Sequence, residues 1–401
     1  MTTIHDVAAL AGVSASSVSN VLNGRTDKLS AKTYSRVEAA IRSLNFSPNR
    51  VARQLKTGHT SMLGLLVPST ANPMYGQLAL NIEAAAQSRY GYSVLLGNTH
   101  RDKQQESRMF ADMLAYGLRA VIVVSSLADE QHLNEAARNG MAVVSYDRAA
   151  RHTKAVHLSS ASGAGARVVS STPLSTSSAF LHGDAVSMSG ATGSDDVSRV
   201  DHISPDNFQA GYIACEHLID RGHRHLAFLL PSATTISRSA KIAGFLARAE
   251  EGGDLGAPVL ARVVKAPTAD AFGDSELLDL GAAMAEQIAA MKPIPTGVVT
   301  VNDMLAIGLM SGLNKLKLKI PDDISVVGMD GLPIAAFVNP GLTSVAMPLA
   351  AMAEAMVERV IARAREPDLP PLNALFETSL VERQSVMPPS DKDGKESIRS
   401  C

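Results

Sequence analysis

Ser14, Ala15, Ser16, Ser17 and Asn20 crowd into one short run near the start of this 401-residue chain. Their side chains are small or polar, and on one helix they make a slim outward face. Such a face can enter the major groove of duplex DNA. There the Asn20 amide can pair twice with an adenine edge, the Ser16 hydroxyl can read either kind of base, and the Ala15 methyl can touch a thymine methyl. The same residues also suit a helical hairpin with a Ser-rich face turned to water.

The surrounding residues must position that face. Thr3 can cap a first helix, with Asp6 where a carboxylate suits the helix N-terminus. Val7, Ala8, Leu10 and Ala11 give it one apolar stripe, and Gly12 supplies the stop. Ser14 caps a second helix that turns Val18, Val21 and Leu22 inward. Ser30 caps a third through Leu44, with Val37, Ile41 and Leu44 inward. Two short helices on a glycine-containing turn form a helix-turn-helix unit, whose second helix reads the major groove.

Longer motifs extend the reading over the chain. "TIHDVAALAGVSASSVSNVLNG", "SPNRVARQLKTGHT", "LLVPSTANPMY", "HLIDRGHRHLAFL", "TVNDMLAIGLM", "IPDDISVVGMD" and "PGLTSVAMP" occur in that order. In sequence and order they resemble the lactose-repressor (LacI) family of bacterial transcription regulators. The resemblance implies an N-terminal all-α helix-turn-helix head and hinge helix, then a periplasmic-binding-protein-like body of two lobes. It implies phosphate contacts from Ser14, Ser17, Asn23, Ser30, Thr33 and Asn49. It also implies a hinge of Ala52, Arg53, Leu55 and Lys56, in which Leu55 wedges into the minor groove and kinks the duplex. Leu55 also fits plain packing against a dimer mate.

Charge agrees with a basic head on an acidic body. Residues 1–60 carry eight Lys and Arg against three Asp and Glu, a net +5, whereas the whole chain is −2 and the remainder therefore −7. The head can meet phosphates while the body repels them. Cys215 and Cys401 are too few for a disulfide framework or a cysteine-based zinc site. No signal peptide and no membrane span is expected, which points to the cytoplasm. No Walker loop, metal-spaced histidine cluster or nucleophile elbow appears, so neither an enzyme nor a cofactor is expected. His223 and His225, flanking Arg224, read as structural or surface residues.

The body alternates apolar strands with amphipathic helices from Met62 and restarts after residue 206, giving an α/β fold of two doubly wound parallel sheets. Ligands bind such folds at the carboxyl ends of strands. Asn302 and Asp303 end one strand. A carboxylate there can accept two hydrogen bonds from sugar hydroxyls or a base edge, although Asp303 equally suits the N-cap of the next helix. The family match carries effector contact onto Asp303. The resemblance implies effector contact at the first-lobe turn of Asn72, Met74 and Tyr75, while Asp147 and Arg148 close another strand at the cleft and Ser125 and Ser126 do so more weakly. Lys241 stands where the family often has arginine, losing the planar fork. Arg238, one turn earlier, is a candidate substitute.

These readings set expected boundaries: residues 1–46 for the head, 47–61 for the hinge, and 62–148 with 323–351 for the N-lobe. Residues 204–322 with 352–386 form the C-lobe, joined to the first by three crossing strands. Segment 149–203, rich in Ser, Ala, Gly and Thr, departs from the family and is expected to be a disordered insertion, as is the tail 387–401. The partners implied are a near-palindromic DNA operator, a sugar-type effector between the lobes, and a second copy in a homodimer, with no membrane. The alternatives are a solute-binding protein without DNA function and a regulator made defective by the insertion.

Overall fold

The computed structural model describes residues 2–22, 25, 29–46, 60–125, 129–146, 199–233, 235–253, 258–267 and 277–390, and the backbone of 156–159 and 167–169. The chain divides into two compact units, Met1–Thr60 and Ser61–Cys401.

The first unit contains α1 (Ile4–Ala11), α2 (Ala15–Leu22) and α3 (Ala31–Ser43). The expected caps form. Thr3 Oγ accepts from the Asp6 N–H while Asp6 accepts from the Thr3 N–H, a reciprocal capping box. Gly12 ends α1 at φ 60°, a left-handed conformation that favours glycine. Ser14 Oγ accepts from the Ser17 N–H, and Ser30 Oγ from the Thr33 N–H. Val7, Ala8, Ala11, Val18, Val37 and Ala40 form the buried core. Leu10 departs from the expected stripe: it is 57% exposed. A helix only two turns long can turn a narrow arc inward, and Val7, Ala8 and Ala11 already fill it.

The second unit is built on two sheets. In the first the strand order is β2-β1-β3-β4-β7-β13-β5-β6. Its members are β1 (Met62–Val67), β2 (Ser93–Asn98), β3 (Ala120–Val124), β4 (Ala142–Tyr146), β5 (Val156–Ser159), β6 (Arg167–Val169), β7 (Asp201–Pro205) and β13 (Asn373–Phe376). All pairings are parallel except β5 with β6. Side chains alternate between two buried faces. Leu63, Leu65 and Val67 meet α4 (Pro73–Tyr90) and α11 (Leu349–Arg365). Leu66, Val121 and Val123 meet α5 (Lys103–Ala115) and α6 (Gln131–Arg138). Each such leucine contributes about 1.5–3 kcal/mol by leaving water.

The second sheet runs β14-β12-β11-β10-β8-β9. It comprises β8 (His225–Leu230), β9 (Leu260–Lys265), β10 (Gly297–Thr300), β11 (Ser325–Asp330), β12 (Thr343–Ala346) and the antiparallel β14 (Ser379–Val381). Helices α7 (Asn207–Asp220), α8 (Ile236–Gly253), α9 (Leu277–Ala290) and α10 (Asp303–Lys315) flank it. The chain passes between the sheets three times, after β7, after β12 and after β13, as the resemblance implies.

Four expectations are corrected. Segment 323–351 does not return to the first lobe: β11 pairs with β10 and β12 in the second sheet, because consecutive strands with a short helical crossover prefer to be neighbours. Helix α11, expected in the second lobe, lays Met352, Met356, Val357 and Val360 into the core beneath the first sheet. The insertion reading also reaches too far. Residues 201–205 are strand β7, β5 pairs with β13, and β6 pairs with β5 at the sheet's edge. The rest of 149–203 lies outside the described residues. Met387, placed in the tail, is tied down, its N–H donating to Ser325 Oγ and its carbonyl accepting from His223; residues 391–401 lie outside the described residues.

Strand β7 owes its place to Asp201, which is fully buried. Arg363 donates to both its oxygens, at 2.6 and 2.8 Å; Arg359 adds a bond of 3.0 Å and the Leu372 N–H one of 2.7 Å. A carboxylate can be buried when it is paired and its lone pairs are filled in this way.

Candidate functional site

In the head, Ser14 and Ser16 are exposed and Ser17 and Asn20 half-buried on α2. The three serine hydroxyls form a local cluster, Ser14 Oγ lying 2.8 Å from Ser16 Oγ and 3.0 Å from Ser17 Oγ. Ala15 leans partly on the core. Ser30 is exposed and Thr33 half-buried at the start of α3. Two capped helix starts thus offer backbone N–H groups and hydroxyls, the donors an oligoanion needs. Asn23, Asn49, Ala52, Arg53, Leu55 and Lys56 lie outside the described residues. Arg36, counted above as phosphate-directed charge, instead donates to the carbonyls of Ala11 and Gly12 (2.8 Å to Gly12), closing the end of α1.

In the body, one cleft lies where strand ends of the two lobes meet. From the first lobe it is lined by Asn72, Met74, Tyr75 and Arg101; from the second, by Thr235, Ser237, Arg238, Lys241, Val301, Asn302 and Asp330. Asn72 caps α4, its side chain accepting from the Met74 N–H at 3.0 Å. Asn302 caps α10, accepting from the Leu305 N–H at 2.9 Å. Thr235 Oγ accepts from the Arg238 N–H at the start of α8. Helix α8 is pinned by backbone contact with α7: a Cβ at Gly211 would lie 1.8 Å from the Lys241 carbonyl oxygen, and one at Gly244 would lie 1.9 Å from that of Phe208. Glycine at both positions lets the helices touch and fixes where Lys241 enters the cleft. Lys241 Nζ donates to the Val301 carbonyl at 3.1 Å.

Of the residues expected in the cleft, Asn72, Met74, Tyr75 and Lys241 are there, and Arg238 with them. Asp147 and Arg148 lie outside the described residues. Two expectations fail. Ser125 is fully buried and donates to Glu106 Oε2 at 3.0 Å, the oxygen that also meets His132 Nε2 at 2.7 Å. It stabilises the buried carboxylate and does not line the cleft. Asp303 is also fully buried, one oxygen accepting from Ser344 Oγ at 2.5 Å and the other from the Leu332 N–H at 2.7 Å. It ties α10 to the turn after β11, and its neighbour Asn302 is both cap and cleft residue. Asn302, named with Asp303 as a strand end, does line the cleft; the residues missed include Arg101, which follows β2, and Asp330, which ends β11. The strand-end rule, applied to every strand, finds both.

Burial pushes the Asp303 carboxyl up to about 6. It pushes His223 down to about 4, against a weaker raising bond to Met387. His223 Nε2 lies 2.9 Å from the Met387 carbonyl, which only an N–H can serve, and Nδ1 lies 2.9 Å from Thr296 Oγ, so the neutral ring fits. The unfolded chain therefore takes up the His223 proton first, near 6.5. This contribution is full above that pH and drains away as pH falls toward 4, by up to about 3 kcal/mol. Asp303 acts in the same window with the opposite sign, since its neutral form is the favoured one. The comparison of His223→Gln with the parent in urea unfolding isolates the histidine. The variant is expected to show a flatter loss between pH 6.5 and 4; parallel curves would refute the assignment.

No described helix is long and apolar enough to cross a membrane. The fold and both sites define a class: a helix-turn-helix head joined to a two-lobed, ligand-binding body. The chain's resemblance to known proteins places it more narrowly. Residues 3–49 match the model of bacterial regulatory proteins of the lacI family, and residues 215–386 that of a periplasmic-binding-protein-like domain. The HTH-type transcriptional repressor PurR of Vibrio parahaemolyticus is 30% identical over 87% of both chains. The ribose operon repressor of Escherichia coli K12 is 28% identical over 96% of this chain and all of its own. The lac repressor dimer bound to operator and the anti-inducer ONPF shares the fold, with a TM-score of 0.70 at 22% identity over 96% of this chain and 99% of that one. The chain belongs to the lacI family of bacterial regulatory proteins, and it is a DNA-binding transcription regulator.

Proposed function

We propose that the chain is a homodimeric repressor of a near-palindromic operator, controlled by a sugar-type metabolite bound between the lobes. The carrying observation is the small, polar face from Ser16, exposed, to Asn20, half-buried, on a capped helix pair, in one chain with a polar cleft where two lobes meet. The relatives support it: one is named for the ribose operon, and a regulator of the same fold from Enterococcus faecium holds ribose at a TM-score of 0.61. Two heads in a dimer reach successive half-sites about one helical turn apart. Ala15, Ser16 and Asn20 read bases there, while Ser14, Ser17, Asn23, Ser30, Thr33 and Asn49 hold phosphates. Phe337, 85% exposed, and Ile334, 46% exposed, leave apolar surface on the second lobe for a protein partner. An effector that prefers one lobe spacing shifts the population between DNA-competent and incompetent dimers. Asn72, Met74, Tyr75, Asp147, Arg148 and Lys241 are the effector residues in this reading, joined by Asn302 and Asp330. The protein works where the chromosome is, in the cytoplasm.

Selection of bound fragments from the source organism's genomic DNA, followed by sequencing, tests the reading. Enrichment of a near-palindrome is expected; salt-sensitive binding without sequence preference would reject it. In the same system Leu55→Ala is expected to weaken operator binding sharply and leave non-specific binding largely intact, as removal of a kinking wedge should. Equal loss of both modes in an anisotropy titration would remove the wedge role.

A further inference from the structure

The cleft is charged in a way that a neutral sugar does not require. Arg101 from the first lobe and Arg238 and Lys241 from the second face a single described carboxylate there, Asp330. Arg238 and Lys241 are each 8% exposed. Withdrawing a cation from water costs several kcal/mol unless something compensates it. Arg238 has partners of its own, the Ala233 carbonyl among them, and Lys241 donates to the Val301 carbonyl. Among the described residues Lys241 forms no salt bridge; the fully buried carboxylate near it, Asp303, is hydrogen-bonded to Ser344 and the Leu332 N–H and attracts the ammonium only without contact. A second observation adds to this. Helices α4, α8 and α10 all begin at the cleft, contributing Asn72, the Thr235–Arg238 turn and Asn302 to its lining. Their positive dipole ends converge on one space, which favours negative charge.

We propose that the effector is an anionic polyol, a sugar phosphate or sugar acid, whose anionic group is held between Arg101 of one lobe and Arg238 and Lys241 of the other. Asn72, Asn302 and Asp330 take its hydroxyls. This rests on the cleft being the effector site, as proposed above. Lysine at 241 fits the assignment: a compact ammonium suits an anion's point charge, whereas a planar guanidinium suits a fixed two-oxygen edge. An anion that draws on cations of both lobes also pulls them together, so the charged group itself closes the cleft.

The first probe is inorganic phosphate, added to the full chain at constant ionic strength against chloride. Thermal shift and calorimetry are the readouts. Phosphate is expected to raise the melting temperature of the body and to bind with measurable heat. Lys241→Met and Arg101→Gln should each weaken that binding at least about tenfold, the loss typical of a charge-assisted contact. Arg101 lies half-buried on a loop, so its variant keeps the test open should Lys241→Met misfold. No protection beyond chloride, or equal protection in both variants, overturns the proposal. Matched pairs then separate the sources: ribose 5-phosphate against ribose, and gluconate against glucose. Preference for the phosphate ester or for the acid assigns the anion. Binding of phosphate alone keeps the anion seat with a different polyol attached, and a neutral sugar that binds as tightly as its charged partner overturns it. The genomic selection judges the regulator reading separately, because loss of operator specificity leaves phosphate protection untouched.

Discussion

Asp201→Ala is expected to lower the stability of the body by about 3–5 kcal/mol, the loss found when one partner of a buried ion pair is removed. Arg363, 4% exposed, would be left buried with its charge unanswered, and the Leu372 N–H would lose its acceptor. Two controls locate the effect. Asp201→Asn keeps one acceptor oxygen and removes the charge, so it should fall between alanine and the parent. Arg359→Met should cost less, because that side chain is 17% exposed and makes one of the three guanidinium bonds to Asp201. Denaturant unfolding of the full chain measures all three. A change of less than about 1 kcal/mol for alanine would mean that β7 is held by its apolar neighbours and not by this network.

Arg36→Met is the second large effect, and it is expected in the head. The guanidinium makes charge-assisted bonds to two carbonyls at the end of α1, worth about 1.5–3 kcal/mol for a hydrogen bond to a charged group. A unit of this size, with six buried apolar residues among those described, has only a few kcal/mol in hand. The head should therefore unfold in part while the body keeps its melting temperature. Operator affinity should fall at least about tenfold, because the binding-competent fraction falls and a dimer needs two heads. Arg42→Met is the comparison: its side chain is 72% exposed and pairs with Glu38 at 3.7 Å, so it removes the same charge without loosening α1. Equal losses from the two variants would show that Arg36 acts on DNA as charge alone.

Much of this was legible in the sequence, and the errors have a common physical origin. The caps at Thr3, Ser14 and Ser30 were readable because capping is local, needing only a hydroxyl three residues before a free N–H. The strands and helices of both lobes were readable from periodicity. Their assignment to sheets was not: β11 and α11 carry apolar faces that would suit either lobe, and only the pairing of β11 with β10 and the packing of α11 on α4 decide it. Strand β7 was lost in a segment whose Ser and Gly content masks five residues held by a charge network with partners about 160 positions away in sequence. At the cleft, the motif around Asn302-Asp303 was the right one and the residue within it the wrong one. Sequence cannot tell which of two adjacent polar side chains turns toward ligand when one caps a helix and its neighbour anchors a loop.

The three passages between the sheets bear on the order in which the polypeptide can mature. Helix α11 and strand β13 complete the first lobe, yet they leave the ribosome after nearly all of the second lobe has been made. Until then α4 lacks its partner, and Leu63, Leu65 and Ile82 lack part of their cover. Contacts so distant in sequence form late. The nascent first lobe must therefore wait as an incomplete, sticky intermediate while the second is synthesised, whereas the head, closed on itself within the first sixty residues, has no such delay. Chaperone dependence should accordingly lie with the effector-binding body, and a chain cut before residue 349 should yield a head that folds on a body that cannot.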